Sequence, residues 1–185
     1  MKKLAAAALI CCCAAACHAA DVKTNYDTTV DFSQFKSYAW MTPRGVTGVD
    51  DPAALDQTVK ASVEVELAKR GFVMNAAAPD FMIGYHAVVE PKVEEFILDT
   101  RYDDMSDAFY DRVAPYAGPA GQKRTEVYYE GTLVLDIADA RTKNLVWRSS
   151  MEGRVNKKLR PAEKQKRIDK GVSQMLSQFP PRKKK

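Results

Sequence analysis

Apolar or small residues recur at every second position along both arms of Glu126–Val155, and that stretch organises the reading of the whole chain. From Tyr129 one set is Tyr129, Gly131, Leu133, Leu135 and Ile137; the other is Tyr128, Glu130, Thr132, Val134 and Asp136. A period of two places one set toward a core and the other toward water, which is the pattern of a half-buried strand. Asp139 to Asn144 follows, and its terminal Asp and Asn can bond to nearby backbone and so form a turn. The return strand puts Leu145, Trp147, Ser149, Met151 and Val155 on one face, and Val146, Arg148, Ser150, Glu152 and Arg154 on the other. The two strands form a hairpin, which needs further strands or a helix over its apolar face to be stable.

The rest of the chain supplies those partners. Asp21–Asp27 alternates Val22, Thr24 and Tyr26 as a short strand, and Lys36–Trp40 reads as a second after a turn at Asp31 and Ser33. Met41–Val49, with Pro43, Gly45 and Gly48, is a loop. Asp51 and Pro52 open a helix whose apolar stripe is Leu55, Val59, Val63 and Leu67, with Lys69 and Arg70 in its last turn and Gly71 beyond its end. Phe81–Val89 is a mostly apolar and therefore central strand, interrupted at Pro91, after which Val93–Leu98 either continues it or pairs elsewhere. Asp99–Thr125 is a long loop rich in Asp and Tyr. Arg160 and Pro161 start a last helix with the stripe Ile168, Val172, Met175, Leu176 and Phe179, and Pro180 and Pro181 stop it. This order predicts an α+β fold: a single mixed or antiparallel sheet of about five strands with two helices packed on one face.

The N-terminus changes the picture of where the protein works. Met1, Lys2 and Lys3 precede an apolar run from Leu4 to Ala16, of signal-peptide length and short of the ~20 residues that span a bilayer. Residues 1–20 are thus expected to be a signal peptide, 21–181 a single domain with a loop at 99–125, and 182–185 a basic tail. All four cysteines, Cys11, Cys12, Cys13 and Cys17, fall in this leader, so the domain itself holds no disulfide. Cys17 follows Ala14, Ala15 and Ala16 and resembles a lipobox cysteine, which is lipidated and becomes the first mature residue. Ala14 departs from that pattern, which usually has Leu there. The other reading is ordinary cleavage after Ala19 or Ala20, giving a soluble periplasmic protein. Because His18 suits that cleavage poorly, the expectation is a lipid anchor at Cys17. With His18 rather than Asp after the cysteine, the location expected is the outer membrane, facing the periplasm.

Charge excludes one class. The chain carries a formal +4, but Lys2, Lys3 and the four basic residues of the tail account for more than that, leaving a body near −2. A basic groove for nucleic acid is therefore not indicated.

Candidate chemistry is sparse. The sequence has no G-x-S-x-G elbow and no Gly-rich phosphate loop. His86 is the lone histidine after the leader, and it shares a strand face with Glu90; two such ligands do not make a metal site. Asp103, Asp104 and Asp107 could attract Ca²⁺ but lack the spacing and closing Glu of a known calcium loop. Tyr102, Tyr110 and Tyr116 beside them would suit contact with an envelope protein or glycan. These six residues are the candidate binding loop; no catalytic residue and no cofactor are expected. A cation-dependent hydrolase using that loop with His86, and a soluble carrier with a pocket between sheet and helices, stand as alternatives to a non-enzymatic envelope protein.

The segments VDFSQFKSYAW, APDFMIGYHA, GTLVLDIADARTKNLVWRSS and QFPP together resemble the domain-of-unknown-function 4136 family of bacterial exported proteins, many of lipoprotein type. The resemblance covers about Asp21 to Pro181, and its most specific piece is Asp139–Arg148. Ser149 departs from the Gly usual after that Arg. What the resemblance implies is a small α+β domain in the periplasm or on the outer membrane, with no assigned activity and so no site residues to carry over.

Overall fold

The computed structural model of the chain describes residues 21–41, 45–98 and 122–181. Among the described residues it is an α+β fold with two helices and a seven-stranded mixed sheet. The strands are β1 (Asp21–Tyr26), β2 (Ser37–Trp40), β3 (Val46–Thr47), β4 (Val73–Met74), β5 (Phe81–Leu98), β6 (Gln122–Asp139) and β7 (Leu145–Val155). Helix α1 is Pro52–Lys69 and helix α2 is Pro161–Leu176. The sheet order is β1-β7-β6-β5-β2-β4, and β3 pairs with β5 beside β2.

The hairpin stands at the centre as expected. β6 pairs antiparallel with both β5 and β7, and β1 closes the far side against β7. Leu133, Leu135, Ile137 and Trp147 face the core together with Phe81, Ile83, Tyr85 and Ala87 of β5. Val59, Val63 and Leu67 of α1 and Val172, Met175 and Leu176 of α2 complete the same cluster. Between sheet and helices lies a group of rings: Phe81 has Phe35, Phe72 and Phe179 at 5.4, 5.4 and 5.5 Å between centroids, and Phe179 lies 5.4 Å from Trp147. Aromatic pairs at such distances add to the burial of their surfaces.

Three expectations are corrected. The count of about five strands becomes seven, because β3 and β4 are two residues each and give no readable alternation. The hairpin faces hold from Trp147 onward but invert at its start: a bulge after Ile137 pairs Ala138 with Leu145 and Ile137 with Trp147, leaving Val146 extra. A bulge resets the two-residue period, so Val146 is buried beside Trp147 and Leu145 is exposed. Finally, Pro91 does not interrupt its strand. β5 runs through it to Leu98, and β6 begins at Gln122, so residues 122–125 are strand rather than loop.

The physical reason for the proline lies in the ladder. The Ala87 N–H donates to the Gly45 carbonyl on the β3 side of β5. Two-residue periodicity carries the Pro91 nitrogen to that same side, where no strand pairs with β5 beyond Val88. The missing N–H therefore costs no sheet bond. Beyond Pro91 and Tyr129, β5 and β6 leave the sheet as a two-stranded ribbon, residues 92–98 paired with 122–128.

Candidate functional site

The residues that mark the family are fixed by local chemistry. Asp139 Oδ1 accepts from the Arg141 and Thr142 N–H groups at 2.9 and 2.6 Å, which holds its carboxyl below the usual carboxylate range, the Thr142 bond being the larger cause. Lys143 takes φ +63° at the end of that turn. Asp80 Oδ2 accepts from the N–H groups of Lys36 and Ser37 and from the Ser37 hydroxyl, at 2.8 to 2.9 Å, and is likewise held low, the Lys36 N–H first. Buried Ser149 sits where a Gly is usual; its Oγ lies 3.0 Å from Thr24 Oγ1 and donates to the Lys23 carbonyl at 3.2 Å. Trp147 is 1 % exposed. These motifs shape the hairpin and dock its neighbours; they point at no common cavity.

His86 lies on the sheet face opposite the core. Its Nε2 is 3.4 Å from Oδ2 of buried Asp136, and Asp136 is already gripped by Arg148, with Nε and Nη2 donating at 2.6 and 2.7 Å. That two-pronged pair raises the Arg148 pKa, the hydrogen bond to Asp136 being the first cause. Glu90, on the same face, meets Lys92 at 3.3 Å rather than His86. Among the described residues no three or more His, Cys, Asp or Glu gather as a metal site. A groove of about 370 Å³ lies between the helices, lined by Ala61, Ser62, Val65, Gln165 and Asp169 among others. Its polar floor is spoken for: Ser62 Oγ lies 2.5 Å from Asp169 Oδ1, which also accepts from Gln165 at 2.8 Å.

Of the sequence candidates, Cys17 and the loop residues Tyr102, Asp103, Asp104, Asp107, Tyr110 and Tyr116 lie outside the described residues. Of the two readings open for Val93–Leu98, the structure takes the continued strand, and the exposure of the resulting ribbon is what the sequence did not show. Val93 and Val127 pair directly across it and are 65 and 61 % exposed. Tyr129 at its base is also exposed, with Lys157 Nζ 4.2 Å over its ring. The ladder is unbroken from Phe81 to Leu98, so Val93 and Val127 fall on the helix-covered side, past the reach of the helices. A second missed feature is charge. Residues 157–170 hold seven basic side chains against two acidic ones, in a body whose net charge is near zero. Counting the whole body hid this cluster; counting by element would have found it.

Comparison with known families places the chain: residues 22–181 match the family described as Domain of unknown function (DUF4136), and the chain belongs to it. The structure is similar to a PDZ domain protein from Parabacteroides distasonis, with a TM-score of 0.55 and 16 % identity, over 88 % of this chain and 36 % of that one. That likeness is one of fold, and this chain spans little more than a third of that protein. It is also similar to the PelC dodecamer from Paraburkholderia phytofirmans, with a TM-score of 0.47 and 10 % identity over 86 % of this chain and 96 % of that one. No curated protein matches. Among the described residues no helix is long and apolar enough to cross a membrane.

Proposed function

We propose that the chain is a non-enzymatic cell-envelope protein, lipid-anchored through Cys17 and contacting another component of the envelope, whether protein, glycan or lipid, through the exposed ribbon of β5 and β6. The observation that carries this reading is the Val93–Val127 pair, two valines side by side and more than half exposed. A two-stranded ribbon with no core beneath it is marginal alone, and exposed apolar surface of this kind marks contact sites. The ring cluster between sheet and helices fills the space a carrier would need.

The anchor and the contact are tested separately. Mass spectrometry of the mature N-terminus is expected to find acyl chains on Cys17; a free N-terminus at Ala20 or Asp21 refutes the anchor. A photo-reactive residue in place of Val93 is expected to give an adduct in intact cells, and the same group in place of Val73, on the opposite edge, none. Equal labelling from both positions refutes the ribbon as the contact.

A further inference from the structure

The position of the chain's entry into the sheet constrains how an anchored domain can sit. Three residues separate Cys17 from β1, so the tether reaches at most about 14 Å even fully extended. Asp21 pairs with Glu152, Glu152 with Thr132, and Thr132 with Val88. The ribbon continues from that same end of the sheet, with Leu98 ten residues past Val88, or about 33 Å along the strand. A bilayer at the opposite end, by the Asp139–Asn144 turn, would lie beyond the length of β1, about 17 Å and out of tether reach. The turn end is therefore not the end that meets the membrane, and with the ribbon end toward the bilayer the ribbon is longer than the tether can hold clear of it.

The charge of that end agrees, independently of Cys17. Lys157 bonds to Asp50 and stacks on Tyr129 at the ribbon's base. From there α2 runs back toward the turn, with Gly171 against Met151 and Phe179 against Trp147. Its basic half, Lys158 to Lys170, thus lies at the ribbon end. Lys158, Lys164, Lys166, Arg167 and Lys170 are exposed, away from the apolar stripe of Ile168, Val172 and Met175. Ion pairs to acidic side chains are absent at Lys158, Lys166 and Lys170 among the described residues. The ribbon itself balances Lys92, Lys123 and Arg124 against Glu94, Glu95 and Glu126, so it repels neither sign.

Resting on the anchor reading above, we propose that the ribbon and the basic half of α2 form one docking surface for an anionic phospholipid bilayer. Val93 and Val127 enter the interfacial region while the α2 lysines meet the headgroups. Apolar insertion plus basic residues within a Debye length of the surface is the combination that holds a peripheral face on anionic lipid. The acyl chains then set the distance and this surface sets the tilt.

The test uses the acylated protein reconstituted in phosphatidylcholine vesicles, with and without about one-third phosphatidylglycerol. The mature chain has no cysteine besides Cys17, so an environment-sensitive fluorophore is placed by Val93→Cys, with Val73→Cys on exposed β4 as the control. A lipid-borne quencher is expected to act at least about threefold more strongly on the label at 93 than on that at 73, and more so with phosphatidylglycerol. Lys166→Glu with Lys170→Glu, both on the outer side of α2, is expected to lower that quenching about twofold without changing the melting temperature. Equal quenching at the two positions overturns the proposal. So does shielding of the label at 93 in unacylated protein in buffer, without vesicles or detergent, which would put a second copy or another protein on the ribbon. If mass spectrometry shows no acyl group, the anchor reading fails by itself. Co-sedimentation of that unacylated protein with the anionic vesicles would then sustain the lipid surface, and its absence would overturn it.

Discussion

Trp147 is the side chain whose replacement says most about the core. It is 1 % exposed, stacked edge-on against Phe179, and its Nε1 has no hydrogen-bond partner among the described residues. Trp147→Ala is expected to cost about 3–5 kcal/mol in chemical denaturation, the range for truncating a large buried aromatic. Trp147→Phe should cost less than half of that, because it removes a buried donor that makes no bond while keeping most of the ring surface. If the two variants lose the same amount, the indole N–H has a partner after all. Asp139 gives the acid limb. Its carboxyl is held low by the Thr142 and Arg141 N–H groups, so its contribution is present above the unfolded-state value near 3.9 and disappears as pH falls through the lower folded value. Asp139→Asn should therefore lower stability at pH 7 and flatten the fall in stability below about pH 4. An unchanged slope in an acid titration of melting temperature would show that the turn carboxylate is uncoupled from folding. Both residues sit in the stretch that marks the family, and both were legible as structural from sequence, Trp147 by its place in a strand and Asp139 by turn chemistry. Val146 was not legible, because a bulge changes which residue faces inward without any signal in the alternation itself.

At the level of elements, the two helices and strands β1 and β2 read correctly, the two-residue strands did not, and the long strands β5 and β6 read short. The α1 stripe at every fourth residue places Val59, Val63 and Leu67 at 0 % exposure, and Asp51 caps the helix by accepting from Ala54 N–H at 3.0 Å. β3 and β4 gain their strand character from neighbours: two residues have no periodicity of their own, and only pairing with β5 and β2 defines them. The candidate site failed for a different reason. A rule that proline ends strands is a rule about paired edges, and Pro91 sits at an unpaired one, so the sequence leaves open whether Val93–Leu98 continues the strand or pairs elsewhere. The attachment of β3 can be tested at Gly48. Its φ is +70° and a Cβ there would lie 1.9 Å from the Val89 carbonyl oxygen. A backbone atom inside a ladder cannot step aside, so Gly48→Ala is expected to cost about 1–3 kcal/mol. A control Gly153→Ala, where a Cβ would meet nothing within 4 Å, should cost far less. Equal losses would mean that the Gly48 loop shifts freely and does not fix β3.

The whole molecule is tied together by pairings between distant parts of the chain. β1, the first element of the domain, is bonded to β7, and Thr24 touches Ser149 across 125 positions of sequence. Between them the central hairpin must form, and β2 must add to β5 in parallel. Loop closure over such separations is slow, and topologies dominated by it fold at the slow end of the range for their size. A chain emerging from its N-terminus first cannot complete either edge of this sheet by local steps. Its opening strand stays without a partner until residues near 150 have arrived, and the helix that seals the core comes later still. Under the export proposed above this delay would be useful, since a translocation channel threads an unfolded polypeptide. An N-terminal half released alone would expose β1 and the inner edge of β5 with nothing to pair against. The order of the sheet thus acts as a timer, withholding the folded state until nearly the whole chain is available.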